Sequence, residues 1–186
     1  MNAYIYQADL ICEGCANKTM RELDRQGKAP EDCLDHESFD SDDYPKGTWG
    51  DGGGEADAPQ HCGICGLFLF NPLTKEGMDY LVEVVKANLN GERGNPDVIG
   101  EWLEWYDVSI SVIHRSHCGM EWEEDYGLHS VKDARDAAAA AINQYRKSGF
   151  PVTTLDPGKQ WEVLEPVDAA MVPDECGTIA LIVSVN

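Results

Sequence analysis

The chain reads as an α+β protein: an N-terminal lobe of zinc-ribbon or treble-clef type over residues 1–72, then helices packed on a mostly antiparallel sheet over residues 73–186. Three observations predict it. Two Cys-x-x-Cys pairs, Cys12/Cys15 and Cys62/Cys65, bracket the first lobe. Three later stretches carry apolar residues at helical spacing, each opened by a capping residue. Short runs of β-branched and aromatic residues separate and follow them.

In chain order, residues 3–10 read as a strand running into the first cysteine pair, and a helix follows Cys15 to about Gln26, stopped by Gly27. Residues 31–57 hold ten acids against one lysine among many turn formers, with Gly52-Gly53-Gly54 as a flexible turn. Leu67–Phe70 reads as a short buried strand, and Asn71-Pro72 as the turn after it. Thr74 caps a helix whose apolar face is Met78, Leu81, Val82, Val85 and Leu89, ended by Gly91. Asn95-Pro96 opens a second helix, over 96–106, that leaves only Asp97, Glu101 and Glu104 as a polar stripe. Val108–Ile113 reads as a strand. Ser130, with Asp133 three residues on, opens a helix through the alanine run to Lys147. Residues 150–155 and 160–164 read as a hairpin, and 178–185 as the last strand.

The charge is the second strong signal. Thirty-four Asp and Glu against 14 Lys and Arg give a formal net charge of −20, concentrated in the first two thirds. Such a field repels nucleic acid and anionic membrane surfaces and attracts basic proteins. No apolar run is long enough to span a bilayer, and the first residues lack the basic start of a signal peptide. The expected setting is the cytoplasm, where seven cysteines read as metal ligands and buried thiols rather than disulfides.

Two residues between cysteines let both thiolates reach one ion from a tight turn, so Cys12, Cys15, Cys62 and Cys65 together complete a closed tetrahedral zinc site. The 46 residues between the pairs exceed the spacing of a compact ribbon, and other sets stay open. Cys33 and His36 form a Cys-x-x-His pair that could replace Cys62 and Cys65, and His61 could replace one ligand. His114, His117, Cys118 and Cys176 raise a second metal site or a Cys–His nucleophile, against the commoner reading of strand-end histidines and buried thiols. Asp40, Asp42 and Asp43 lack the glycine and further oxygens of a calcium loop, because Pro45 and Lys46 stand there.

The run Asp40-Ser41-Asp42-Asp43-Tyr44-Pro45-Lys46-Gly47, with Ala58-Pro59-Gln60-His61-Cys62 and the N-terminal Cys-x-x-Cys, resembles small uncharacterised acidic proteins encoded by phages and prophages. The resemblance covers about the first 70 residues. It implies a bacterial host cell and the cysteine pairing above, and no activity.

Three functions compete. The first is a non-enzymatic acidic binder that docks on a basic protein through Asp40, Asp42, Asp43, Asp51, Glu55 and Asp57; in a phage setting that partner is a nucleic-acid-processing enzyme of the host. Net charge alone does not make a nucleic-acid mimic. A globule of this mass exposes roughly 9,000 Å², about 450 Å² per net charge, while duplex DNA has about one phosphate per 100 Å². Mimicry needs the acids gathered on one face, with Glu121, Glu123, Glu124 and Asp125 as further contributors. The second function is a small metal-dependent hydrolase or nuclease, which needs an open metal position that four thiolates do not leave. The third is a nucleic-acid-binding zinc ribbon, for which Arg21, Arg25 and Lys28 are the only basic group.

Overall fold

A computed structural model of the chain describes residues 1–92, 94–115, 122–147, 162–164 and 179–185. It divides into two compact units, Met1–Leu81 and Val82–Asn186. The division falls inside a helix, beyond the boundary at residues 72 and 73 read from the sequence.

The first unit opens on a hairpin. β1 (Ala3–Tyr6) and β2 (Asp9–Cys12) pair antiparallel, with Ala3 opposite Cys12 and Tyr6 opposite Asp9. The single strand expected over residues 3–10 is therefore corrected. Gln7 and Ala8 both take positive φ, 52° and 66°, and reverse the chain in two residues. Such turns are usually announced by Asn-Gly or Asp-Gly, which Gln-Ala does not resemble. β3 (Lys46–Trp49) pairs antiparallel with the other edge of β1, giving the order β2–β1–β3. It lies within the acidic stretch expected to be turns.

α1 (Glu13–Arg25) follows β2 without a linker, so Cys12 is both the last strand residue and the helix N-cap. The helix thus starts before Cys15, not after it. At its far end Gly27 takes φ 72°, letting Gly27 N–H reach the Asp24 carbonyl and Lys28 N–H the Leu23 carbonyl, both at 3.0 Å. Ala16 of α1 packs with Ala3, Tyr4, Ile11, Cys12, Cys62 and Leu69 in the core of this unit. Leu67–Phe70 is not a strand: its pairing is one bridge, His61 to Phe68. Phe68 and Leu69 are nevertheless buried, and Leu67 is exposed. The glycine run is not a flexible turn either. Gly52 is buried in a single 3-10 turn (Asp51–Gly53), and its N–H donates to the Met1 carbonyl at 2.8 Å.

Capping residues act as the sequence indicates. Thr74 Oγ1 accepts Gly77 N–H at 3.0 Å at the start of α2 (Lys75–Leu89), and Asn95 accepts Asp97 N–H at 3.0 Å at the start of α3 (Pro96–Trp105). In the second unit follow β4 (Val108–Arg115), β5 (Trp122–Leu128), α4 (Val131–Lys147), β6 (Glu162–Leu164) and β7 (Ile179–Val185). The sheet order is β5–β4–β7–β6. β4 is antiparallel to both neighbours, and β6 lies parallel to β7, with Val163 opposite Leu181. β5 was not expected from the sequence. Of the expected hairpin, 162–164 forms this parallel edge and 150–155 lies outside the described residues.

α3 and α4 both pack on β4. Ile99 and Leu103 come from α3, and Ala134, Ala138, Ala141 and Ile142 from α4; all are buried, as are Val108, Ile110, Val112 and Ala180–Val183 in the strands. Ala134, Ala138 and Ala141 recur at helical spacing on the buried face of α4, while Ala140 of the same run is exposed. Among the described residues no helix is long and apolar enough to cross a membrane.

Candidate metal centre

Three short pieces of chain bring four thiols together. Cys12 ends β2, Cys15 lies in the first turn of α1, and Cys62 and Cys65 sit on a tight loop. In that loop Cys62 N–H donates to the Leu67 carbonyl and Gly66 N–H to the Cys62 carbonyl, both at 2.8 Å. Gly63 N–H donates to the Leu10 carbonyl at 2.9 Å, which stitches the loop to β2 just before Cys12. A Cβ at Gly63 would stand 2.8 Å from the Asp9 carboxylate, so the close approach needs glycine there. Behind the loop the fully buried Asn71 accepts Gln60 N–H at 2.7 Å and donates to the Pro72 carbonyl at 2.9 Å. This fixes the chain on both sides of the cysteine loop.

The four sulfurs lie within 4.8 Å of one another, and Cys12 and Cys65, from different pairs, are 3.8 Å apart. A tetrahedral ion with thiolate bonds of ~2.3 Å has sulfur–sulfur edges of ~3.8 Å. The cluster therefore has the size and donor set of a four-thiolate metal site. Cys12 and Cys62 are buried, Cys15 is half-buried and Cys65 is exposed. Four thiolates fill a tetrahedron, so the site has no open position for substrate or activated water.

The thiols differ in readiness to ionise. Burial raises Cys12, and burial also pushes Cys15 up, with the neighbouring Cys65 thiol adding to it. Burial opposes ionisation of Cys62 too, but the backbone N–H groups of Cys12, Cys65 and Ile64 outweigh it and bring that thiol down to about 6. N–H groups aimed at a sulfur stabilise its anion, as they do in metal-thiolate loops.

The alternative ligands stand elsewhere. Cys33 and His36 are exposed, and the structure does not bring either into the cluster. His61 bonds the Gly66 carbonyl through Nδ1 at 2.9 Å and lies against Phe68, ring centroids 5.4 Å apart. It supports the cysteine loop and is not one of the four. His114 lies in β4 opposite Ile179, but its side chain, with His117, Cys118 and Cys176, is outside the described residues. So are Glu121 and the side chains of Glu123, Glu124 and Asp125.

Hydrogen bonds and ring contacts tie the acidic segment to itself and to the hairpin, α1 and α2. Asp40, Asp42, Asp43, Asp51, Glu55 and Asp57 are all exposed. The Asp40 side chain accepts Asp42 N–H at 3.0 Å, and its carbonyl accepts Asp43 and Tyr44 N–H. Asp57 accepts the Thr74 hydroxyl at 2.6 Å, so this carboxylate also braces the start of α2. Ser41 accepts Gln7 N–H from the hairpin turn at 3.1 Å. Tyr44 donates to Asp24 of α1 at 3.0 Å; burial and that carboxylate push its phenol up to about 12, so it remains a donor. A chain of rings runs through the segment. His36 meets Phe39 and Trp49, Phe39 meets Tyr44 edge to face, and Lys46 Nζ lies 5.4 Å from the Phe39 centroid. Sequence reasoning missed this cluster, whose available signal was three aromatics, Phe39, Tyr44 and Trp49, spaced through an otherwise polar stretch.

No protein-family model matches the chain, and no curated protein or solved structure matches it. The likeness to phage-encoded proteins rests on the quoted residues alone.

Proposed function

We propose that the chain is a non-enzymatic binding protein in which one zinc ion, held by Cys12, Cys15, Cys62 and Cys65, organises a lobe that presents an acidic surface to a basic protein partner. The closed four-thiol cluster carries this reading, because it suits a structural ion and leaves no position for chemistry. Cytoplasmic thiol chemistry favours zinc, which thiolates bind tightly without redox change. The acids supply the recognition: ten in residues 31–57, on a segment whose ends the two cysteine pairs flank. A pre-ordered loop loses less entropy on binding than a free one. In the setting that the phage resemblance implies, the partner is a host nucleic-acid-processing enzyme whose basic groove the acids occupy as a nucleic-acid mimic.

Zinc affinity should carry the signature of these thiols. Binding displaces thiol protons, so affinity rises with pH. Because the zinc-free lobe is expected to unfold, the four thiols meet the ion largely protonated at neutral pH, and affinity is expected to rise steadily with pH across that range. An affinity independent of pH, measured by competition with a chromogenic chelator, would contradict thiolate ligation.

Asp40→Asn, Asp42→Asn and Asp43→Asn combined should preserve the turn, since Asn at 40 still accepts the Asp42 N–H, while removing three charges. Capture of the partner from host lysate is expected at low salt, to fall steeply with added salt, and to weaken at least about tenfold in the triple variant. Unchanged capture by the variant would make these acids solubilising surface and remove the mimicry reading.

A further inference from the structure

We propose that the groove between residues 28–31, which follow α1, and the turn at residues 38–44 receives an arginine side chain of the partner. The inference rests on the acidic-binder reading above and adds which residue type that binder selects.

The groove encloses about 550 Å³ and is lined in part by Phe39, Tyr44, Glu31, Asp43 and Lys28. That volume lies within the ~300–1,000 Å³ of pockets that take small organic groups. Phe39 and Tyr44 meet at 89°, centroids 5.7 Å apart, and so form a corner of two rings. The bond from Tyr44 to Asp24 holds one wall of that corner in place. Phe39 already serves as a platform for a cation, with Lys46 Nζ over its ring.

Charge completes the complementarity. Among the described residues neither Glu31 nor Asp43 is in an ion pair, and Lys28, the cation in the lining, pairs with neither. Two carboxylates outside any ion pair, against the single Lys28 in the lining, stand beside an aromatic corner and suit a flat cation that stacks and donates sideways at once. Guanidinium has that shape; an ammonium has a point charge, a larger hydration cost and no plane to stack. The groove is also pre-formed. Ser38 Oγ donates to the Asp35 carbonyl at 2.7 Å, and Asp43 and Tyr44 N–H both bond the Asp40 carbonyl.

The test uses the full-length zinc-loaded protein and two fluorescent peptides of equal length and charge, one alternating arginine with serine and one alternating lysine with serine. The arginine peptide is expected to bind about fivefold or more tightly at low salt. Glu31→Gln, at an exposed position, and Phe39→Leu, checked for zinc content and melting, should each shrink that preference, and Phe39→Tyr should keep it. None of these positions is among the six acids of the proposed contact surface. Equal affinity for the two peptides, or a preference that survives both Glu31→Gln and Phe39→Leu, overturns the groove assignment and leaves the acidic surface standing. Failure of both peptides to bind overturns the groove and the acidic-binder reading together.

Discussion

Stripping zinc with a chelator, or Cys62→Ser, is expected to unfold Met1–Leu81 while Val82–Asn186 keeps its secondary structure. Two of the seven residues in the first core, Cys12 and Cys62, are metal ligands, so metal and core are one assembly. Structural zinc contributes on the order of 10–16 kcal/mol, comparable to the whole ~5–15 kcal/mol stability of a domain. A three-stranded sheet of four-residue strands with one helix has little else to replace it. The described core of the second unit is aliphatic, built from α3, α4, β4 and β7 without a cysteine. Hydrogen exchange read by mass spectrometry separates the outcomes. Loss of protection over residues 3–25 and 60–70, with retention over 108–112 and 131–142, is the expected pattern. Protection unchanged everywhere would mean that the ion is not structural. Loss in both units would mean one cooperative core, and a fragment of residues 73–186 would then fail to melt as a unit.

What the sequence revealed was local in origin. Two Cys-x-x-Cys pairs pointed to the four thiols because each pair is read within four residues, and folding has only to join two compact turns. Thr74, Asn95 and Ser130 marked their helices for the same reason: a cap is a contact over two or three residues. The misses needed partners distant in sequence or unusual backbone. β3 exists because β1 offers an edge some 40 residues earlier in the chain, and its residues Lys-Gly-Thr-Trp show no alternation that would mark a strand. β5, Trp-Glu-Glu-Asp-Tyr-Gly-Leu, reads as charged turn until β4 is there to pair with it. The Gln7-Ala8 reversal occupies a conformation that neither residue favours, held by Gln7 N–H on Ser41 and by pairing on both sides. Glycine misled in the opposite sense: a run of three suggested slack where the structure uses the missing side chain of Gly52 for packing.

That packing sets the second large effect. Gly52→Ala is expected to destabilise the first unit by about 3 kcal/mol or more, because it combines a left-handed backbone with a collision that nothing soft can absorb. Gly52 has φ 66°, and a Cβ there would lie 2.2 Å from the Leu69 carbonyl oxygen and 2.8 Å from the Asn71 nitrogen. Both obstacles are backbone. Leu69 is part of the core that contains Cys12 and Cys62, and Asn71 holds the chain beside the cysteine loop, so moving either disturbs the metal site. The Gly52 N–H bond to the Met1 carbonyl must shift as well. Gly50→Ala is the control: its φ is −63°, no atom lies within 4 Å of the added carbon, and the change should be neutral or slightly stabilising. Urea titration of the zinc-loaded proteins, followed with zinc release by a chromogenic chelator, measures both quantities. A Gly52→Ala midpoint equal to that of Gly50→Ala would mean that the corner yields freely. The acidic segment would then be a loose loop between two metal-bound turns, without the pre-ordering on which its proposed role in binding depends.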